Sequence, residues 1–120
     1  MRDILDIAQA LSDESRVRAL MALRQGELCV CQLTALLKLA TPTVSRHLSL
    51  LHKAGLVESR KEGRWVYYRL AEAAADTPER GALDWLMTAL ADEPAIALDA
   101  SSLCCIVAYD KEELCRSQKN

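Results

Sequence analysis

The run Thr41-Pro42-Thr43-Val44-Ser45-Arg46-His47-Leu48-Ser49-Leu50-Leu51-His52-Lys53-Ala54-Gly55, continued as LVESRKEGRWVYYRL from Leu56 to Leu70, decides the fold. Thr41 is an N-cap residue type, and Pro42 suits the first helical position because it has no amide hydrogen to leave unpaired. Val44, Leu48 and Leu51 recur at helical spacing on an inner face, and Gly55 can take the left-handed conformation that ends a helix. The outer face offers Thr43, Ser45, Arg46, Ser49, His52 and Lys53. Past Gly55 the period changes to alternation. Residues 56 to 60 and 65 to 70 read as strands around the polar turn Lys61-Glu62-Gly63-Arg64, a hairpin.

Upstream, Ile4, Leu5, Ile7, Ala8 and Leu11 recur at helical spacing and predict an amphipathic first helix over 2–11. Ser12 and Asp13 are N-cap types ahead of Val17, Leu20, Met21 and Leu23, with Gly26 as a stop, so a second helix is expected near 14–24. A third is expected from about 29 or 30 to 38, with Leu33, Leu36 and Leu37 inward. Downstream, residues 79 to 91 read as a last helix with Leu83, Leu86, Met87 and Leu90 on one stripe, ended before Pro94. Residues 93–120 have weak periodicity; 95–98 and 103–109 are expected as short ordered pieces of what is mainly a cysteine-containing tail.

At 120 residues the chain fits one domain with a modest core, so a partner subunit is a natural way to cover leftover apolar surface. No run approaches the roughly 18 uninterrupted apolar residues of a spanning helix, and the start Met1-Arg2-Asp3 lacks the layout of a signal peptide. A cytoplasmic protein without a membrane partner is expected. Five cysteines, an odd count, favour reduced thiols with metal or redox chemistry over a disulfide framework. The net charge of -2 conceals an asymmetry. Residues 41–70 carry six cations against two carboxylates, a net +4, whereas residues 71–120 carry four cations against ten carboxylates. Such a basic middle segment is a partner signal rather than a fold signal.

Two helices joined by a short polar turn, the second followed by a basic hairpin, make a mainly α fold with a small β-hairpin: the winged helix-turn-helix plan. The second helix would enter the major groove of double-stranded DNA while the wing meets the backbone. Thr41, Thr43, Ser45 and Ser49 offer hydroxyls for base edges or phosphates, and Arg46 can pair with guanine or clamp phosphate. His47, His52 and Lys53 lie on the same segment, the histidines in DNA-facing or local hydrogen-bonding roles. Lys61 and Arg64 add salt-dependent phosphate affinity. Trp65, Tyr67 and Tyr68 read as packing residues of the wing.

The strings ALSDESRVRALMAL from Ala10, ELCVCQL from Glu27, SRHLSLLHKAGLV from Ser45 and KEGRWVYYRL from Lys61 together resemble the ArsR family of winged-helix metalloregulators, especially its arsenic-responsive branch. The resemblance covers about residues 1 to 70. It implies a homodimeric repressor that holds operator DNA until a thiophilic ion releases it, with the first and last helices forming the dimer. Ile4, Leu5, Ala8, Leu83, Leu86, Met87 and Leu90 are the expected dimer residues, and the two apolar stripes otherwise lack an obvious burial partner. An N-terminal winged domain over 1–92 would serve both DNA binding and dimerisation, ahead of the tail 93–120.

Cys29 and Cys31, directly upstream of the expected recognition helix, can be read as a core edge among Leu28, Val30 and Leu33, or as a thiolate site. Thiolates prefer soft ions, so As(III) or Sb(III), with Cd(II) as a further candidate, is expected as inducer ahead of Mg(II) or Ca(II), and two cysteines are too few for a closed Cys₄ zinc site. On a regular helix, positions two apart point about 200° from each other. The backbone at Cys29 and Cys31 must therefore be irregular already or unwind on binding, and distortion of the third helix would disturb the recognition helix. A helix N-terminus is also expected to lower a thiol pKa. Thr34 stands where some relatives have a third cysteine; the substitute is expected from the tail of either subunit or from an exogenous thiol such as glutathione, with Cys104 and Cys105 ahead of Cys115 because paired tail cysteines resemble sensor arrangements in other arsenic-responsive members. A thiol-disulfide redox-sensing repressor is the alternative. A thiol-based arsenic enzyme is disfavoured, since no Gly-rich anion loop or parallel βαβ pattern is present.

Overall fold

The computed structural model describes residues 1–118, and Lys119 and Asn120, counted above in the expected tail, lie outside the described residues. Helices α1 (Arg2–Ala10) and α2 (Glu14–Leu23) lead into a two-residue strand β1 (Leu28–Cys29), then α3 (Val30–Leu37) and α4 (Thr41–Lys53). Strands β2 (Val57–Glu62) and β3 (Trp65–Leu70) follow, and then α5 (Pro78–Ala89), α6 (Pro94–Ala108) and α7 (Lys111–Ser117). Asp13 caps α2 by accepting from the amides of Ser15 at 2.8 Å and Arg16 at 3.3 Å, as its residue type predicts. The cap of α4 falls one residue earlier than expected. Ala40 is the N-cap and Thr41 the first helical residue, because the Ala40 carbonyl already accepts from Thr43 and Val44. Gly55 takes φ 78° just past the helix, the left-handed stop that its position predicts.

The hairpin runs two residues further along β2 than expected, pairing Glu62 with Trp65 and leaving Gly63-Arg64 as the turn, with Gly63 at φ 61°. A third strand joins it. β1 pairs antiparallel with β3, Cys29 opposite Tyr67, in the order β1-β3-β2. Two residues are too few to display alternation, so only the pairing reveals that strand.

The core gathers Leu20, Met21, Leu33, Val44, Leu48, Leu51 and Leu56, all at most 1% exposed. Leu83 and Leu86 of α5, at 6% and 4% exposed, belong to this same core together with Ile7 and Ala10 of α1. That corrects their expected role as open dimer residues: the stripe finds its partner in α1 of its own chain. Ile4, Leu5 and Ala8 remain exposed, Met87 and Leu90 are half-buried, and Trp85 on the opposite side of α5 is 63% exposed.

The segment expected mainly as a tail is helical through most of its length and shares the core. Ile96 and Leu103, two turns apart on α6, are buried, and Arg18 of α2 grips Asp99 of α6 with two bonds of 2.8 and 2.9 Å. The stretch AIALDASSLCCIVA is apolar around most of its circumference, which erases the one-sided period by which a surface helix is recognised. Among the described residues, no helix is long and apolar enough to cross a membrane.

Candidate thiol site and nucleic-acid interface

Cys29 is not on the helix at all. It is the N-cap of α3, extended at φ -85° and ψ 163° and held by the β1–β3 pairing, while Cys31 is the second helical residue. The two thiols are therefore freed from the 200° divergence of an intact helix. The irregularity that the spacing demands is already built into the strand-to-helix corner. Gln32 fixes that corner, its side-chain oxygen accepting from the Cys29 amide at 2.9 Å.

Both thiols are buried, at 1% and 9% exposed, and share a small cluster with Tyr67 against which Trp65, Leu114 and Cys115 pack. The Cys31 thiol is pushed up to about 12, first by burial and then by the neighbouring Cys115 and Cys29 thiols. For Cys31, desolvation and the neighbouring thiols thus act in the direction opposite to the lowering expected of a helix N-terminus. Cys115 comes from α7, so the sulfur beside the pair is the one ranked last from sequence. Cys104 and Cys105 are exposed on α6 and outside this cluster. Thr34 is buried one turn after Cys31, and its hydroxyl has no hydrogen-bond partner among the described residues. No group of three or more Cys, His, Asp or Glu among those residues is yet arranged to hold a metal ion. The donors gathered at the corner are nonetheless sulfurs in an apolar, aromatic setting, which suits a soft thiophilic centre and not a hard cation.

α7 brings residues that sequence reasoning passed over. Lys111 donates to the Tyr67 hydroxyl at 2.6 Å and lies over its ring at 4.6 Å, with Arg60 also over that ring at 4.4 Å. Gln118 donates to the Cys31 carbonyl at 2.9 Å, and Glu112 pairs with Arg64 at 2.7 Å. A signal for α7 does exist: Asp110 is an N-cap type, Glu112 and Glu113 occupy the first turn and Arg116 the last, in the order that a helix dipole favours.

Helix α4, packed against α3, presents Ser45, Arg46, Ser49, His52 and Lys53 to solvent, with Thr41 and Thr43 partly exposed at its start. His47 is turned inward, its Nδ1 3.0 Å from the Arg16 guanidinium. Lys61 is exposed on the wing, but the neighbouring cations are largely matched. Arg60 pairs with Glu27 at 2.6 Å and with Glu62 at 3.0 Å, and Arg69 pairs with Glu58 at 2.7 Å. Glu58 and Glu62 already enter the +4 of this segment, and it is Glu27 and Glu112, from outside it, that lower the charge it offers a partner.

Residues 13–59 match the family model described as "Bacterial regulatory protein, arsR family". The chain is 49% identical over 74 residues to an arsenic resistance transcriptional regulator of Pseudomonas putida, covering 58% of each protein. It is 44% identical over 69 residues to a homolog of the cadmium resistance transcriptional regulatory protein CadC in Staphylococcus aureus, covering 57% of each. The match thus spans somewhat over half the length of these curated relatives. Among solved structures, the homodimeric winged helix-turn-helix DNA-binding domain Mb0332 of Mycobacterium bovis superposes with a TM-score of 0.61 at 32% identity, covering 77% of this chain and 81% of that one. Helix order, wing and these matches agree, and the chain belongs to the ArsR family of bacterial regulatory proteins.

Proposed function

We propose that this chain is a thiol-gated transcriptional repressor: as a homodimer it holds double-stranded operator DNA through α4 and the wing, and As(III) or Sb(III) bound by Cys29 and Cys31 releases it. The observation that carries this reading is the pairing of two buried thiols at a corner that touches both DNA-facing elements. α3, which begins there, packs against α4, and β1, which ends there, pairs with wing strand β3. Any rearrangement of the corner is transmitted to both.

Ser45, Arg46 and Ser49 would face the major groove, and Lys53 and Lys61 the backbone. Ile4, Leu5, Ala8 and Trp85, exposed on adjoining helices α1 and α5, supply the apolar surface for the second subunit. Two such subunits would present their reading helices about one duplex turn, roughly 34 Å, apart, so a small shift of α4 spoils both contacts together. The soft sulfur of the corner suits trivalent arsenic or antimony and disfavours hard cations. A coupling of about 3 kcal/mol between inducer and DNA would weaken operator affinity by about 150-fold.

Fluorescence anisotropy of a labelled operator, titrated with arsenite in thiol-free anaerobic buffer, tests the assignment. Wild type should release the DNA, and the Cys29→Ser, Cys31→Ser double variant should stay bound. Normal release by that variant refutes the site. Release by peroxide in metal-free buffer, with no response to arsenite, would replace it with disulfide switching.

A further inference from the structure

Resting on the assignment of Cys29 and Cys31 as the inducer site, we propose that Cys115 completes that site from within the same chain, and that α7 is a strap by which ligand occupancy holds Arg64 back from DNA. Lys111, Leu114, Cys115 and Gln118 stand at positions i, i+3, i+4 and i+7, one face of a helix. That face meets the thiol corner along its whole length: Lys111 on the Tyr67 hydroxyl, Leu114 and Cys115 on the cysteine–tyrosine cluster, Gln118 on the Cys31 carbonyl. Glu112 reaches beyond the face to Arg64 at the hairpin turn. The strap thus contacts the ligand site and the wing at once.

A helix of seven residues has little stability of its own, and α7 buries none of its residues fully. Its position is therefore set by these few contacts, the weakly held kind of element on which a ligand can act. The three thiols are adjacent without yet being arranged to hold a metal ion, so closing α7 by a small movement is what binding would add. The chemistry balances without a redox partner. As(OH)₃ and three thiols give three As–S bonds and three waters, each thiol proton leaving with one hydroxide, and arsenic stays trivalent throughout. Once Cys115 is bonded, α7 is pinned where Glu112 already pairs with Arg64, and that cation is no longer free to leave Glu112 for phosphate. One phosphate contact is worth about fivefold in affinity near 0.15 M salt.

Full-length protein, loaded with arsenite in thiol-free buffer, should show three sulfurs at the arsenic absorption edge. Cys115→Ser should show two, and should bind arsenite more weakly by at least the roughly 10- to 100-fold that losing a supporting metal-site partner costs. Cys104→Ser, Cys105→Ser should keep three. Glu112→Gln should also keep three sulfurs and wild-type arsenite affinity, while retaining about fivefold more operator affinity than wild type at arsenite saturation. Three sulfurs in Cys115→Ser, or two in the Cys104→Ser, Cys105→Ser variant, overturn Cys115 as the ligand. Unchanged release by Glu112→Gln overturns the strap. If wild type binds arsenite through three sulfurs and yet stays on the operator, it is the repressor reading that fails while the ligand set stands.

Discussion

Replacing Leu103 by Ala tests whether α6 belongs to the cooperative core. Leu103 is 3% exposed, in one cluster with Met21, Ala22 and Ile96, on a segment whose sequence suggests an accessory tail. Leu-to-Ala changes in cores cost about 2–5 kcal/mol, and the spread reflects how far the surroundings fill the space. Gln25, Gly26 and Val107 border a groove beside Leu103, so water can enter what the side chain vacates. The lower part of the range applies, about 2.5–3 kcal/mol. For a domain of this length a loss of 1 kcal/mol lowers Tm by about 4 °C, so the variant should melt about 10 °C lower. Thermal and urea unfolding should be run at one fixed protein concentration, since subunit association adds to stability by mass action. A change below about 0.5 kcal/mol, the size expected of a surface substitution, would place residues 94–108 outside the folding unit and refute the reasoning.

Two further predictions concern stability. Burial pushes the Asp13 carboxyl up, but the amides of Arg16 and Ser15, with the charges of His47 and Arg16, outweigh it and hold the group below the ordinary carboxylate value. A depressed folded pKa means that the cap contributes above the unfolded value and is lost as pH falls through the folded one. Asp13→Ala should therefore cost about 1 kcal/mol at neutral pH, with the gap to wild type closing below about pH 4; urea midpoints that stay equally far apart at pH 2 would contradict this. Thr34→Val replaces a buried hydroxyl without a partner among the described residues by a side chain of the same shape, and should raise stability by about 1 kcal/mol in the same unfolding assay. A comparable loss would mean that the hydroxyl is bonded.

Helix α4, the wing and the first three helices are legible because each rests on local signals: Val44, Leu48 and Leu51 at helical spacing, Asp13 as a cap, Gly55 and Gly63 at turns. What was not legible depends on long-range pairing. β1 exists only because Tyr67 and Tyr68 lie opposite it, and this pairing turns Cys29 from a helix residue into a cap. Leu83 and Leu86 carry a stripe that reads the same whether it faces a second subunit or α1 of its own chain. Cys115 was ranked behind Cys104 and Cys105 because adjacency in sequence is visible and adjacency across α7 is not. The pairing of the wing's charges is hidden for the same reason: Glu27 and Glu112, the partners of Arg60 and Arg64, lie 33 and 48 residues away along the chain.

The short β1–β3 ladder also bears on the order in which the molecule assembles. It joins positions about 40 residues apart, with α3, α4 and the hairpin between them, so its closure follows the ordering of those elements. Helices can begin to form locally, but Leu28 and Cys29 have no strand to join until the hairpin has docked. Amide hydrogen exchange at this ladder therefore reports on a step that follows docking of the hairpin, and in the native protein it registers each opening of the corner without a label on any thiol.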